Sequence, residues 1–328
     1  MTFRELLQEG RRRLEAAGIE EAENDARLLL LDTYRIDWCS LVSVYEMRVP
    51  VNPPMPPVSA CKVVPRRISH ETEAGGAYLE VIDRRAAHVP LQYLTHEQNF
   101  CGADMYVDER VLIPRQDTEV LVAAALDLAA MLDGSPALLD LCTGSGCIPI
   151  ALSRLGDFGS ITAADLSADA LEVAKMNAEQ NGAQIRFVQS DLFDAFRKKR
   201  DNGSPASEAA SEDGSEAVPE AAPEAAERFD LITCNPPYIR HGDMAGLQPE
   251  VRDYEPSMAL DGGEDGLDFY RRLAAEAGQF LNPGGCVCFE IGFDQAADVS
   301  ALLENAGFGE VRVLKDLAGL DRVVTAYV

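Results

Sequence analysis

The residues with the clearest chemical potential are the Asn-Pro-Pro-Tyr of Asn235–Tyr238, which directly follow an apolar run. Amide and exocyclic amino nitrogens are weak nucleophiles because their lone pairs are delocalised. The side-chain carbonyl of Asn235 and the backbone carbonyl of Pro236 could accept both N–H bonds of such a nitrogen and turn its lone pair toward an electrophile. The ring of Tyr238 could pack on a planar amide or base. A simple strand-end turn is the alternative, because Asn-Pro dipeptides mark turns.

A glycine-rich turn, DLCTGSGCI (140–148), offers a second place for a ligand, because only glycine lets a backbone approach a ligand without steric cost. No third glycine follows Gly146 at the spacing of the dinucleotide fingerprint, which disfavours a dinucleotide. Asp165 lies roughly 20 residues further on, where a carboxylate can accept hydrogen bonds from a ribose diol. Asp191 is expected to end the next strand and could reach an adenine amine. The alternative for Asp165 is a cap on the following helix.

These groups must be positioned by the second half of the chain, where strand and helix patterns alternate. Strands are predicted over 137–141, 160–165, 185–189, 229–234, 286–291, 309–315 and 322–328, and helices over 147–155, 168–180, 265–281 and 294–306. This alternation predicts an α/β fold with a doubly wound, mostly parallel, seven-stranded sheet. Ligands bind at the carboxyl edge of such sheets, where the glycine turn and Asn235 would meet. Together these features predict a methyltransferase that uses S-adenosylmethionine.

The first part of the chain has helical patterns separated by turns. Helices are predicted over 3–17, through Tyr34, over 38–47 and over 78–88, with an irregular proline-rich connection at 50–57. Alternation over 97–113 predicts a β-hairpin, and Asp117 or Thr118 can cap the helix that follows it. We therefore expect a small helical N-terminal domain (1–95), a linking β-hairpin (96–114) and a methyltransferase domain (115–328).

One segment, 198–228, interrupts the alternation of strands and helices. It is rich in Ala, Glu, Ser and Pro, and from Asp201 to Glu227 it carries acids and no base. Such a composition cannot bury enough apolar surface to offset the entropy lost on ordering. We expect a disordered acidic insertion in a loop, which the sheet can tolerate.

Composition restricts the classes of partner. The formal net charge is -26, which disfavours a nucleic-acid partner, although the insertion supplies part of the acid. The eight cysteines form no CxxC pair and the four histidines lie far apart, so we expect reduced cysteines and no metal site. Without a signal peptide or a run long enough to span a bilayer, the protein is expected to be cytoplasmic, with no membrane partner.

The chain resembles the S-adenosylmethionine-dependent methyltransferases that act on amide or amino nitrogen. Within them it is most similar to the release factor glutamine methyltransferases (the PrmC/HemK family). The resemblance covers most of the chain and runs through RRAAHVPLQYLT (84–95), VLIPRQDTEVLV (111–122), DLCTGSGCI (140–148), AADLSADAL (163–171), NPPYI (235–239), VRDYEPSMALDGGEDGLDFYR (251–271), FEIG (289–292) and DLAGLDRVV (316–324). The IPRxxTE and DLAGxDR runs are specific to this family, whereas adenine methyltransferases share the NPPY motif.

The resemblance implies that the helical N-terminal domain docks a class I peptide chain release factor. It also implies methylation of the glutamine side-chain amide (N5) in that factor's Gly-Gly-Gln motif. We further expect a monomer that makes no direct contact with nucleic acid. It would place the methyl donor against Cys142, Thr143, Gly144, Ser145, Gly146, Asp165, Asp191, Leu192 and Asn235. The glutamine would bind at Asn235, Pro236, Pro237 and Tyr238, with Asn235, Pro236 and Tyr238 as the catalytic residues.

Some positions depart from the family pattern. Cys142 and His96 stand where glycine is common, and Leu192 stands where some members have tryptophan. For Arg115, Glu119 and Glu290 we favour positioning roles over direct chemistry. Two other functions stay open on the residues alone: methylation of an amino group on adenine or guanine in nucleic acid, and binding of the cofactor without turnover.

Overall fold

The computed structural model describes residues 1–50, 75–197 and 227–328. These residues form two compact units. The first comprises Met1–Gln98, Tyr106–Ile113 and Ala245–Ser257, and the second comprises Asn99–Met105, Pro114–Met244 and Met258–Val328. The predicted proline-rich connection beyond Pro50 and the predicted acidic insertion as far as Ala226 lie outside the described residues.

The first unit is helical at its start, with α1 (Phe3–Ala16), α2 (Ala22–Tyr34), α3 (Trp38–Val44), α4 (Gly76–Ala86) and α5 (Leu91–Thr95). Thr2 and Glu5 form a capping box that begins α1. The apolar spacing of α1 buries Leu6 and Leu14. The hydroxyl of Tyr78 donates to the carbonyl of Ala26 at 3.0 Å, so α4 is joined to α2.

The remaining elements follow in chain order. A short hairpin is formed by β1 (Gln98–Phe100) and β2 (Ala103–Met105). The sheet strands are β3 (Ala137–Leu141), β4 (Ser160–Asp165), β5 (Arg186–Gln189), β6 (Phe229–Cys234), β7 (Leu281–Glu290), β8 (Gly309–Lys315) and β9 (Asp321–Tyr327). The helices are α6 (Glu119–Met131), α7 (Cys147–Leu155), α8 (Ala168–Asn181), α9 (Pro249–Tyr254), α10 (Asp268–Phe280) and α11 (Ala296–Asn305), of which α9 lies in the first unit.

The predicted doubly wound sheet is confirmed. The described residues form seven strands in the order β5-β4-β3-β6-β7-β9-β8, and β9 runs antiparallel to both of its neighbours. One face of the sheet packs on α6 and α7, and the other packs on α10 and α11. Cys286 and Cys288 of β7 are buried on the first face, as their alternate spacing predicts, while Val287 and Phe289 are buried on the second.

Several predicted boundaries were wrong. The hairpin has strands of three residues each, and 106–113 belong to the first unit instead. The helix predicted over 265–281 begins at Asp268, because Gly266 has a φ of +77°. Its predicted end, 282–285, lies within β7, where the pairing with β6 is irregular. Among the described residues, no helix combines the length and the apolar character needed to cross a membrane.

Candidate active site

Parallel pairing brings the ends of four strands into one row. Leu141 lies opposite both Ala164 and Cys234, and Cys234 lies opposite Phe289. The residues that follow these positions therefore emerge side by side at the carboxyl edge of the sheet. They are Cys142 after β3, Asp165 at the end of β4, Asn235 after β6 and Glu290 at the end of β7. This row brings the glycine turn and the Asn-Pro-Pro-Tyr segment to one edge of the second unit.

The glycine turn is held by hydrogen bonds on several sides. The amide of Thr143 donates to the carbonyl of Ala164 at 3.0 Å. The fully buried Asn177 of α8 donates to the carbonyl of Ser145 at 2.9 Å. A side chain added at Gly144, where φ is +54°, would meet no atom within 4 Å among the described residues. That face of the turn is therefore open to a ligand, as the sequence predicts.

Cys142 has a φ of +55°, in the region that favours glycine. Glycine adopts this conformation without strain, whereas an L side chain here costs roughly 1–2 kcal/mol. His96 shows the same effect in the first unit, with a φ of +60° after α5. Its imidazole stacks on Tyr106 at a centroid distance of 5.2 Å, a contact that glycine could not make.

The Asp165 carboxylate contacts both flanking segments. One oxygen accepts the amide of Gly144 at 2.8 Å, and the other accepts the amide of Ser167 at 2.9 Å. Burial raises the pKa of this carboxyl group, against the lowering effect of those amides. The cap of α8 is Ser167, whose hydroxyl accepts the amide of Ala170 at 3.1 Å. The alternative role for Asp165, as that cap, is therefore wrong.

Asp191 and Leu192 lie beyond β5, which ends at Gln189 as the strand prediction has it. The expectation that Asp191 itself ends this strand is therefore wrong. The carboxylate of Asp191 is 44% exposed and pairs with Arg272 at 2.8 Å. Leu192 is buried, with a φ of +47°. An aspartate in this exposed ion pair and a buried apolar side chain thus stand next to one another at the site.

Two buried polar atoms at the turn lack hydrogen-bond partners among the described residues. They are Oδ2 of Asp140 and the hydroxyl of Thr143. The other carboxylate oxygen of Asp140 accepts the hydroxyl of Thr233 at 2.7 Å. Burial raises the pKa of Asp140 to about 7. The Thr143 hydroxyl lies close enough to Asp140 to oppose that rise. These two buried polar groups beside an open glycine turn fit a polar, nucleoside-bearing ligand such as S-adenosylmethionine. Asp140 was not among the predicted site residues, although an acid directly before a glycine turn is a visible signal.

Asn235 is oriented by Thr118, a buried residue at the start of α6. The amide nitrogen Nδ2 of Asn235 lies 3.4 Å from the Thr118 hydroxyl oxygen and donates to it. This contact turns the side-chain carbonyl of Asn235 away from Thr118. Thr118 was predicted only as a possible cap of α6, and no side-chain cap is formed there. Its backbone continues a 3-10 turn, Gln116–Thr118, and lacks the extended conformation that a capping residue adopts.

Tyr238 and Glu290 meet beside this segment. The hydroxyl of Tyr238 donates to Oε1 of Glu290 at 3.4 Å, and the hydroxyl of Tyr270 donates to the Glu290 backbone carbonyl at 2.7 Å. Glu290 is 2% exposed, and its Oε2 has no hydrogen-bond partner among the described residues. Burial raises the pKa of Glu290 to about 7, against the lowering effects of the Thr118 hydroxyl and the charge of Arg322.

The raised pKa of Glu290 predicts a pH-dependent stability. A carboxyl group whose pKa rises on folding stabilises the fold below its unfolded pKa of 4.5, and this contribution is lost as pH rises through 7. We therefore expect the stability of Glu290→Gln relative to the wild type to be about 2–3 kcal/mol greater at pH 8 than at pH 5. Urea unfolding at both pH values measures this. The exposed Glu304→Gln is the control, and equal effects of Glu290→Gln at the two pH values would contradict the prediction.

Arg115 and Glu119 lie in different surroundings. Glu119 accepts the amide of Cys101 in the hairpin at 2.8 Å, which is a structural contact. The charge of Arg115 opposes the rise in the pKa of Tyr238 that burial causes, so Arg115 lies close to the site. Within the described ranges, no three His, Cys, Asp or Glu side chains group as metal ligands would.

Comparison with known proteins identifies both parts of the chain. Residues 118–203 match the family model of the methyltransferase small domain, and residues 5–52 match that of the PrmC N-terminal domain. The release factor glutamine methyltransferase of Geobacter sulfurreducens is 36% identical over 323 residues, which cover 98% of this chain and 95% of that protein. The protein of the same name from Chlorobaculum tepidum is 41% identical over 239 residues, which cover 71% of this chain and 72% of that protein.

Solved structures share the fold at lower identity. The hMettl16 catalytic domain, solved in complex with a MAT2A 3'UTR hairpin, superposes with a TM-score of 0.50 at 15% identity, over 75% of this chain and 81% of that one. At that identity the likeness concerns the fold alone. The match to the Geobacter protein extends over nearly the full length of both chains, and on that ground the chain belongs to the release factor glutamine methyltransferases.

Proposed function

We propose that this chain transfers a methyl group from S-adenosylmethionine to the glutamine side-chain amide of the Gly-Gly-Gln motif in class I release factors. The observation that carries the proposal is the position of Asn235–Tyr238, at the end of β6 between the glycine turn and Glu290, in a chain 36% identical to a release factor glutamine methyltransferase. Bound S-adenosylmethionine supplies an electrophilic methyl group on a positively charged sulfur.

The row of strand ends supplies the groups that would hold the cofactor. The turn from Cys142 to Gly146 would take its amino-acid part, next to the buried polar groups of Asp140 and Thr143. Asp165 would accept hydrogen bonds from the ribose hydroxyls, since a carboxylate offers about four lone pairs and backbone amides do not use all of them. Asp191 and Leu192 would line the adenine, with the carboxylate accepting from the amine.

Asn235 and Pro236 would bind the reacting nitrogen. The Asn235 side-chain carbonyl and the Pro236 backbone carbonyl each accept one N–H of the glutamine amide. Thr118 holds the Asn235 amide in the orientation that this requires, because it accepts from Nδ2 and leaves the carbonyl to face the substrate. The two carbonyls also stabilise the positive charge that develops on nitrogen during transfer. The nitrogen loses its proton after the transfer, so no strong base is needed.

Tyr238 would form the wall on which the planar glutamine amide packs, with Pro237 stiffening the segment before it. The ring is held by its hydrogen bond to Glu290 and by the surrounding second unit. Burial raises the pKa of Tyr238 well above its usual value, so the phenol stays neutral and acts as a donor. Glu290 therefore positions Tyr238 and does not contact the reacting nitrogen.

We also propose that the helical domain (1–95) docks the release factor, that 96–114 link it to the methyltransferase domain (115–328), and that the chain works as a monomer. The match of residues 5–52 to the PrmC N-terminal domain supports the first of these assignments. A protein substrate this large gains affinity from a surface beyond the four residues of Asn235–Tyr238.

The test is methylation of an intact class I release factor from Geobacter sulfurreducens, with peptide mass spectrometry to locate the methyl group. We expect one methyl group on the glutamine of Gly-Gly-Gln and none on a Gly-Gly-Ala variant of the same factor. Transfer to nucleic acid at physiological salt, with no transfer to the factor, would contradict the proposal and favour an amino-group methyltransferase of nucleic acid. Binding of S-adenosylmethionine without transfer to either substrate would favour a binding protein.

A further inference from the structure

Gln295 is a buried amide directly behind the Asn-Pro-Pro-Tyr segment. It is 2% exposed and immediately precedes α11. Its Nε2 donates to the Tyr238 carbonyl at 3.0 Å and to the Gly266 carbonyl at 3.1 Å, while its Oε1 accepts the amide of Gly292 at 2.9 Å. Both donors and the acceptor oxygen of the side chain are thus used. These three hydrogen bonds join the residues after β7, the loop before α10 and Asn235–Tyr238, the reaction segment.

The loop before α10 approaches the same backbone closely. A Cβ at Gly266 would lie 2.5 Å from the Tyr238 carbonyl oxygen and 2.7 Å from Nε2 of Gln295. A Cβ at Gly262 would lie 2.7 Å from the Tyr238 Cα. Residue 239 adds two backbone hydrogen bonds, because its amide donates to Leu260 at 2.9 Å and its carbonyl accepts from Gly262 at 2.8 Å. The backbone after Pro237 therefore has little freedom to shift.

We propose that Gln295 is a positioning residue for methyl transfer, which sets the backbone of Tyr238 and, through it, the direction of the Pro236 carbonyl and of the tyrosine ring. This rests on the proposed function. The bonds of Gln295 reach Tyr238 at its carbonyl, one peptide away from the two prolines. Proline φ is restricted, so a rotation at Tyr238 is passed to the Pro236 carbonyl instead of being absorbed between them. The cofactor turn is held separately, by Asn177 and Ala164.

The reaction segment and the cofactor turn are held by different residues. A change at Gln295 should therefore lower the rate of methyl transfer without weakening cofactor binding. Gln295→Met keeps the length of the side chain and removes all three hydrogen bonds. Misplacement of a reacting group by about 1 Å can lower a rate by about a hundredfold. We expect kcat with release factor to fall about that much, while the KM for release factor and the Kd for S-adenosylmethionine stay unchanged.

A second variant reaches the same backbone without touching Gln295. Gly262→Ala places a methyl group 2.7 Å from the Tyr238 Cα and should produce the same fall in kcat with the same KM and Kd. Asn282→Ala is the matched control, because Asn282 donates its amide to Asp230 at 2.7 Å at the opposite end of β7. It removes a side-chain amide at the far end of β7 from the reaction segment and should leave kcat unchanged.

All rates are measured in single turnovers at saturating S-adenosylmethionine and divided by the fraction folded from thermal melting. A kcat per folded Gln295→Met enzyme equal to that of the wild type overturns the proposal, and so does a loss that appears only in the Kd for S-adenosylmethionine. A wild-type enzyme that fails to methylate release factor in this assay overturns the proposed function instead. The two failures are thus distinguishable.

Discussion

Replacing Asn235 with alanine is expected to lower kcat for release factor methylation by about a thousandfold. The substitution removes one of the two carbonyls that accept the N–H bonds of the reacting amide. Loss of one preorganised group that stabilises transition-state charge lowers kcat by about 10²–10³. The buried Thr118 hydroxyl also loses the hydrogen bond that it accepts from Nδ2 of Asn235 at 3.4 Å. The measurement is single-turnover transfer of labelled methyl groups to intact release factor.

Thr118→Val tests the orientation of Asn235 without removing its carbonyl. Valine has nearly the same shape as threonine but cannot accept from Nδ2. The Asn235 amide then loses the contact that selects one of its two flipped orientations. We expect a fall in kcat of roughly tenfold, in line with the loss of one neutral hydrogen bond. The Asn235 assignment fails if Asn235→Ala keeps a tenth or more of the wild-type kcat while Thr118→Val lowers it further.

The positions of the site residues at the ends of strands could be predicted, because they depend on local sequence patterns. A run such as FDLITC (229–234) indicates a buried strand, and the residue after it must lie at the carboxyl edge. The same reasoning placed Cys142 and Asp165 correctly at strand ends. β5 begins one residue later than predicted and ends at Gln189 as predicted, so Asp191 lies in the turn beyond that strand and not at its end. Strand ends are decided by pairing with neighbours, which a single sequence does not show.

The contacts that orient these groups could not be predicted. Thr118 and Asn235 are 117 residues apart, and Tyr238 and Glu290 are 52 apart. No local periodicity indicates which side chains at one sheet edge will meet. The pKa of Glu290 also depends on burial from several elements at once, which raises it although the charge of Arg322 opposes that effect. The sequence predicts the row of strand ends, and only the packed structure shows how its side chains are paired.

The assembly of the first unit from three separate segments of the chain could not be predicted either. Residues 245–257 follow the reaction segment in sequence, yet they pack within the unit that contains α1 to α5. The carboxylate of Glu255 accepts the amide of Ile113 at 3.1 Å, and the hydroxyl of Tyr254 donates to the carbonyl of Ala87 at 2.6 Å. An α9 of six residues gives a weak helical pattern. Its partners therefore became visible only in the structure.

Replacing Arg85 with alanine is expected to destabilise this first unit by about 3–5 kcal/mol. The side chain of Arg85 is 10% exposed, and its Nε donates to the 5% exposed Asp25 at 2.8 Å. Its Nη1 donates to Glu250 at 3.0 Å and to the Val89 carbonyl at 3.2 Å. Removing the arginine leaves the Asp25 carboxylate buried without its cationic partner, which is the costly way to break a buried ion pair. Urea unfolding, followed by circular dichroism, measures the loss.

The neighbouring Arg84 supplies a matched control, because it is exposed at the same end of α4. Arg84→Ala should change the free energy of unfolding by no more than about 0.5 kcal/mol. A double variant, Asp25→Ala with Arg85→Ala, should cost less than the sum of the single changes, since the second change removes the unpaired charge. Losses that add fully, or a loss below about 1 kcal/mol for Arg85→Ala, would mean that this buried pair does not hold the unit together.

Arg85→Ala can also distinguish a role of the helical domain in docking the release factor from a role in methyl transfer. If the helical domain docks the release factor, Arg85→Ala at a temperature that partly unfolds the first unit should raise the KM for intact factor. Its kcat/KM for a short Gly-Gly-Gln peptide should stay unchanged, because the peptide reaches only the strand-end site that includes Asn235. Equal losses with both substrates would instead assign the buried pair to the stability of the catalytic site. The comparison therefore tests the role of the helical domain independently of the methyl-transfer chemistry.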